Sequence, residues 1–302
     1  MESDVLQLEV RLRGAPELPA ARRLPVWCGL RMPGVPVPLP ETRAPVLSVN
    51  LPGASREPGP VWTAEQLAQI TGGQWLVPPP AGWSVQSVVR LPMHLKVRPG
   101  PALFVASDYR TLAAHENFSH APEDWDQHDD LPRLHTQCAG AIVQHAVEGL
   151  PPDFPLLQVP DPIRALLSLG AAARARYKGL VVGVTGTVGK SSTIAMVRDL
   201  LPPGARVLTT VENNNSRVGV PGAMASLGPD VDVCILEMAQ SALWMDRGPI
   251  SLEARPHVAI LTEVGISQTA KTNTLEKTAE YKSRIFLGLE PGGIAVVSGH
   301  IP

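Results

Sequence analysis

The chain has 302 residues, with 26 lysines and arginines against 28 aspartates and glutamates, a formal net charge of −2. Hydrophobic residues make up 44% and charged residues 18%, which excludes a disordered chain and supplies apolar material for about two average domains. The near-neutral balance argues against a nucleic-acid partner held by a basic surface. No apolar run approaches the about 18 residues of a membrane helix, and the first residues carry acids without an apolar core. No membrane is therefore expected. Cys28, Cys138 and Cys234 are dispersed, without zinc spacing, and read as small buried hydrophobes of a reducing compartment, so the expected location is cytoplasmic.

Residues 1–60 form the first expected unit, a Pro-rich extension or linker. Pro33, Pro36, Pro38 and Pro40 fall close together, and Pro52, Pro58 and Pro60 follow. Proline fixes φ and lacks a backbone donor, so only edge strands fit here. The alternating stretches Leu6–Leu12 and Ala44–Leu51 are the candidates.

Residues 61–178 read as a smaller α/β domain. A helix begins after Trp62, with Leu67 and Ile70 on its apolar face and Gly72-Gly73 as its stop. Short apolar runs at 102–107, 140–144 and 155–160 predict strands. Asp161 then caps a helix with Pro162 at its first position. A dense polar cluster, from His115 and Glu116 through His120, Asp126 and His128 to Asp130, follows no closed metal-site spacing and reads as a solvated loop.

Residues 179–302 read as an α/β domain on a mostly parallel sheet. Strand-like runs at 179–185, 206–210, 231–237, 257–262 and 293–298 are rich in β-branched residues and do not alternate, so they are expected to be buried on both faces. Helical patterns begin between them, near Lys190, Gly222, Ser241 and Asn273.

The stretch from Thr185 to Thr193 follows a strand and opens a helix, the context of a phosphate loop. Gly186 and Gly189 free backbone N–H groups to face an anion, and the helix start adds partial positive charge. Lys190 is placed to reach the β- and γ-phosphates of a nucleotide, and the Ser191 hydroxyl to bind Mg2+. Glu237 ends an apolar strand, at the sheet edge where ligands of open α/β folds bind, and a carboxylate there suits Mg2+. Lys282 sits with Leu275, Ala279, Ile285, Phe286 and Leu289 on the apolar face of a helix over 274–288, capped by Asn273 with Glu276.

The loop reads T-G-T-x-G-K-S-S, without the leading glycine of the general pattern, and this variant resembles the Mur ligase family. These are ATP-dependent enzymes that add amino acids or dipeptides to the peptidoglycan precursor. Four further stretches are similar to family motifs: Asn213 to Pro221, Cys234 to Glu237, Thr262 to Gly265 and Glu280 to Ile285. Val97 to Ala106 is similar to a motif of the family's N-terminal domain, and the resemblance implies a substrate-binding domain over 61–178 and an ATP-binding domain over 179–302. The match covers roughly 62–302 and is nearest to the branch that adds D-alanyl-D-alanine.

The resemblance implies ATP and Mg2+ as cofactors. It implies nucleotide contacts from Thr185, Gly186, Thr187, Gly189, Lys190, Ser191, Ser192 and Asn215. The implied catalytic set is Lys190, Glu237 and Lys282. The metal ligands would be Ser191, Glu237, Lys282 if carbamylated and, weakly, Gln268. Small-molecule or peptide carboxylate and amine substrates follow, with an acyl phosphate between them. Glu263 stands where the family has Asn, and Gln268 where it has His. Val89 to His94 replaces its D-S-R motif. The family's C-terminal domain has no counterpart here, so the expectation is that the chain is a fragment, or that a partner subunit supplies that domain, or that the chain is a non-catalytic or degenerate nucleotide-binding subunit of a ligase assembly.

Overall fold

The computed structural model describes residues 7–13, 46–52, 59, 61–98, 100–116, 122–211, 214–244, 248–265 and 274–297. Strands β1 (Gln7–Arg13) and β2 (Val46–Pro52) pair in parallel, in the two stretches where edge strands are expected.

The next elements are β3 (Trp62–Thr63), α1 (Ala64–Thr71), β4 (Gln74–Val77), β5 (Ser84–Val85), β6 (Ser87–Val89), β7 (Ala102–Val105), α2 (Tyr109–His115), α3 (Leu131–Leu134), β8 (Gly140–Val143) and β9 (Leu156–Gln158). Five of the strands form one sheet in the order β4-β9-β8-β7-β6, parallel except for the antiparallel β4–β9 pair. Thr63 caps α1, accepting from the Gln66 backbone N–H, while the Gln66 side chain accepts from the Thr63 N–H; Gly72 ends the helix in the left-handed region.

Helix α4 (Pro162–Arg176) starts at Asp161, whose side chain accepts from Arg164 N–H at 2.8 Å. The expected boundary at 178 falls in the short link from α4 to β10 (Leu180–Thr185). The remaining elements are α5 (Lys190–Leu200), β11 (Val207–Thr209), α6 (Gly219–Met224), β12 (Val233–Glu237), α7 (Ser251–Ala254), β13 (Val258–Leu261), α8 (Leu275–Ser283) and β14 (Ile294–Val297). Their strands make an all-parallel sheet in the order β11-β12-β10-β13-β14. The connection after β10 runs to β11 on one side and that after β12 runs to β13 on the other, so the adjacent carboxyl ends of β10 and β12 are the switch point where such sheets open a crevice.

Some helix expectations are corrected. The pattern assigned to Gly222 begins at Gly219, and the one assigned to Ser241 is a 3-10 turn, Gln240–Leu243, with α7 following later. The helix expected over 274–288 is α helical only to Ser283 and tightens to a 3-10 segment, Arg284–Gly288. Thr274 caps α8, accepting from Lys277 N–H at 3.2 Å; Asn273, the expected cap, lies outside the described residues.

One apolar core runs across the link between the sheets. It includes Leu103 from the first sheet, Trp62 from the antiparallel β3–β5 pair, Ile163 and Leu169 from α4, and Cys234 and Ile285 from the second sheet's side. The Trp62 indole donates to Ala225 O at 2.7 Å, and the Arg176 guanidinium lies 3.8 Å over its ring. Ser226 Oγ accepts from Val88 N–H at 2.9 Å and donates to Val88 O at 3.1 Å, so a side chain completes the edge of β6 as another strand would. Cys234 is fully buried and Cys138 half-buried, while Cys28 lies outside the described residues. Among the described residues, no helix is long and apolar enough to cross a membrane.

Candidate nucleotide and metal site

Thr185, the last residue of β10, is buried, and its hydroxyl donates to Met238 O at 2.7 Å. This bond ties the loop's first residue to the segment after β12. The backbone then turns through Gly186 at φ 155° and Gly189 at φ 85° into α5. A Cβ on Gly186 would lie 1.9 Å from Thr262 Oγ1, so only glycine lets the loop pass this close to the end of β13. The Thr262 hydroxyl donates to Val188 O at 2.6 Å. Thr187 N–H donates to Glu263 O at 2.7 Å, and Gly265 N–H donates to Thr187 Oγ1 at 3.0 Å. The turn after β13 therefore fastens the loop from its outer side.

Two lysines converge on one carbonyl. Lys190 Nζ donates to Gly186 O at 3.2 Å, and Lys282 Nζ donates to the same oxygen at 2.9 Å. Lys282 is only 4% exposed. Burial, helped by the charge on Lys190, pushes its pKa down from 10.5 to about 8. The expected inward face of α8 is confirmed for Lys282 and revised around it. Thr278 and Lys282, one turn apart, are its buried residues, while Leu275 and Ala279 are half-buried.

Glu237, the last residue of β12, lies across the loop. Its Oε2 accepts from Ser191 Oγ at 3.3 Å and its Oε1 from Asn215 Nδ2 at 2.7 Å, while its backbone N–H donates to Thr210 Oγ1 at 3.0 Å. The structure thus gathers Thr185, Gly186, Thr187, Gly189, Lys190, Ser191, Asn215, Glu237 and Lys282 at one sheet edge. Ser192 follows on the first turn of α5 and is exposed. Gln268 lies outside the described residues. Thr210 and Thr262 were not among the expected site residues. Each is a hydroxyl residue just past a parallel strand, and Thr262 also opens one of the stretches similar to a family motif.

The donor set fits two kinds of ligand. Two ammonium groups and a glycine loop at a helix start suit phosphate oxygens. A carboxylate beside a hydroxyl suits a hard divalent cation.

A crevice between the two sheets opens nearby, lined by Arg90, His94 and Arg98 on one side and Asn214, Val218 and Ala223 on the other. Burial lowers the pKa of Arg90 and Arg98, and Glu116 partly offsets this at Arg90. The acid–histidine cluster is only in part the solvated loop expected: Glu123, Asp124 and Asp129 are exposed, but His128 is not. His128 is 2% exposed, with Nδ1 against Asp126 Oδ1 at 2.5 Å and Nε2 accepting from Gln144 N–H at 3.0 Å. That acceptor role places the ring proton on Nδ1, facing Asp126, and leaves no nitrogen lone pair for a metal. His115 bonds Asp161 at 2.7 Å.

Residues 184–302 match the Mur ligase middle domain. The chain is 30% identical over 199 residues to the UDP-N-acetylmuramoyl-tripeptide--D-alanyl-D-alanine ligase of Synechocystis sp., covering 64% of this chain and 43% of that protein. It is 30% identical over 203 residues to the ligase of the same name from Bacillus subtilis, covering 66% and 44%. The structure of UDP-N-acetylmuramoylalanyl-D-glutamyl-2,6-diaminopimelate--D-alanyl-D-alanyl ligase from Acinetobacter baumannii superposes with a TM-score of 0.57 at 27% identity, over 80% of this chain and 49% of that one. The chain therefore spans less than half the length of these relatives. The family that the motifs resemble is the one whose middle domain matches residues 184–302.

Proposed function

We propose that this chain binds ATP with Mg2+ and activates a carboxylate as an acyl phosphate, within an ATP-dependent carboxylate–amine ligase. The observation that carries this reading is the convergence of Lys190 and Lys282 on Gly186 O, with Glu237 and Ser191 3.3 Å apart across the same loop. The loop N–H groups cradle the β- and γ-phosphates, and Lys190 offsets negative charge on the transferring phosphoryl group. A carboxylate oxygen bonds to the γ-phosphorus as the bond to ADP breaks. An amine nitrogen then bonds to the acyl carbon, phosphate leaves, and the nitrogen gives up a proton.

Ser191 and Glu237 would hold Mg2+, which supplies charge neutralisation to the phosphates. Asn215 orients Glu237 through its 2.7 Å bond. With its pKa near 8, about a tenth of Lys282 is a neutral amine at pH 7. Only the neutral form takes up CO2, so the site supports carbamylation and a third oxygen ligand there. The relatives' names supply the substrate class, a UDP-N-acetylmuramoyl tripeptide and D-alanyl-D-alanine.

The test is thermal stability with Mg-ATP. Ligand at a hundredfold excess over Kd should stabilise the folded chain by about 2.7 kcal/mol, and Lys190→Ala should remove most of that gain. Absence of both a shift and a calorimetric heat with millimolar Mg-ATP would sink the nucleotide reading.

A further inference from the structure

Glu237 is gripped from two sides, and each grip leads to the first sheet. On one side its N–H donates to Thr210 Oγ1. The preceding residue, Thr209, ends β11, and its carbonyl accepts from Arg98 Nη2 at 3.0 Å. On the other side Asn215 Nδ2 donates to Glu237 Oε1. The following residue, Ser216, donates its hydroxyl to Glu116 Oε1, and Val218 N–H reaches the same oxygen at 3.3 Å. Arg98 lies between β6 and β7, and Glu116 closes α2, so both belong to the elements around the first sheet. Both side chains are half-buried, and the residues they bond lie 100 or more positions away in sequence.

We infer that Glu116 and Arg98 are positioning residues that hold the Glu237 carboxylate in its metal-binding place through Asn215 and Thr210. The inference rests on the reading of Glu237 as a metal ligand. Each link has one residue of leverage. A shift of Ser216 moves Asn215, and a shift of Thr209 moves Thr210. Mg2+ demands near-octahedral geometry at short range, so a carboxylate that drifts loses the ion before the phosphates lose the loop. Gly186, Gly189 and Lys190 hold the phosphates through contacts that neither link touches. Outer partners of metal ligands act this way, and removing one typically costs about 10- to 100-fold in metal affinity. Seating of the first sheet would thereby set metal affinity at the second.

The test measures ATP-induced thermal shift while Mg2+ is titrated, in the wild type, Glu116→Gln, Arg98→Met, Ser216→Ala and Asn215→Ala. Each variant should need about tenfold more Mg2+ for the half-maximal shift, and Glu116→Gln, Arg98→Met and Ser216→Ala should leave the shift by metal-free ATP in EDTA unchanged. Glu116→Gln combined with Asn215→Ala should be no worse than Asn215→Ala alone, because both act along one link. Ser216→Ala removes a single hydroxyl, so it reports on the link even if Glu116→Gln folds poorly. A purely structural role lowers the melting temperature of the free protein and leaves the Mg2+ midpoint in place. That result, with ATP still bound, overturns this inference and spares the nucleotide reading. No ATP shift in the wild type overturns both.

Discussion

Replacing Lys282 with methionine removes one charge and keeps most of the stem that packs in the core. The charge is costly where it sits. Its fall from the ordinary lysine value of 10.5 to about 8 corresponds to about 3 kcal/mol of preference for the neutral form. Between these pH values the unfolded chain binds a proton at this site that the folded chain does not. Stability therefore rises with pH through that window, by up to about 3 kcal/mol, and below about pH 8 the full cost is present. Other groups titrate nearby with the opposite sign. Burial raises Cys138 to about 11 and Cys234 to about 12, so their unfolded forms lose protons first and stability falls above about 9. Those contributions are shared by the variant, so the difference between the two proteins isolates Lys282. Urea unfolding at about pH 7 and about pH 10.5 measures it, with intact mass excluding a carbamate on the wild type. Methionine should be at least as stable as lysine at pH 7, and wild type should gain on it as the pH rises. A difference that stays constant across the window would refute the buried-ammonium reasoning.

Gly186→Ala forces a Cβ to within 1.9 Å of a Thr262 hydroxyl already held by Val188 O. It should cost about 1–3 kcal/mol in chemical denaturation and abolish the Mg-ATP shift; wild-type stability with full nucleotide binding would contradict the loop geometry. Ser226→Ala strips both partners from the Val88 backbone between the two sheets. It should lower unfolding free energy by about 1–3 kcal/mol, and a cost below about 0.5 would mean that water replaces the hydroxyl.

Local physics made much of the molecule legible. Asp161 with Pro162 marks the start of α4, and runs of β-branched residues mark the second sheet, because capping and two-sided burial act over a few neighbours. The glycine loop that opens α5 was legible for the same reason, since Gly186, Gly189 and Lys190 lie within one turn. Where a longer-range partner sets the conformation, the sequence reading slipped. The pattern at Ser241 has helical composition, yet it is a 3-10 turn, with Ala242 N–H donating to Ala239 O and Ala242 O accepting from Ile250 N–H. His128 looked like part of a solvated loop because neither its burial nor the Gln144 N–H that meets it is a local property.

By itself, the sequence determined the α/β class, the glycine loop between β10 and α5, Glu237 at a strand end and Lys282 on an inward face. Each follows from periodicity or from groups adjacent along the chain. The tertiary structure alone decided that Lys282 meets Gly186 O, 96 positions away, and that Thr262 crowds the same glycine. It alone decided that Glu116 and Arg98 reach the two segments gripping Glu237. Such pairs carry no spacing signal. They form because crossovers on either side of β10 bring distant strand ends to one edge, and because α4 packs the first sheet against the second over a shared core.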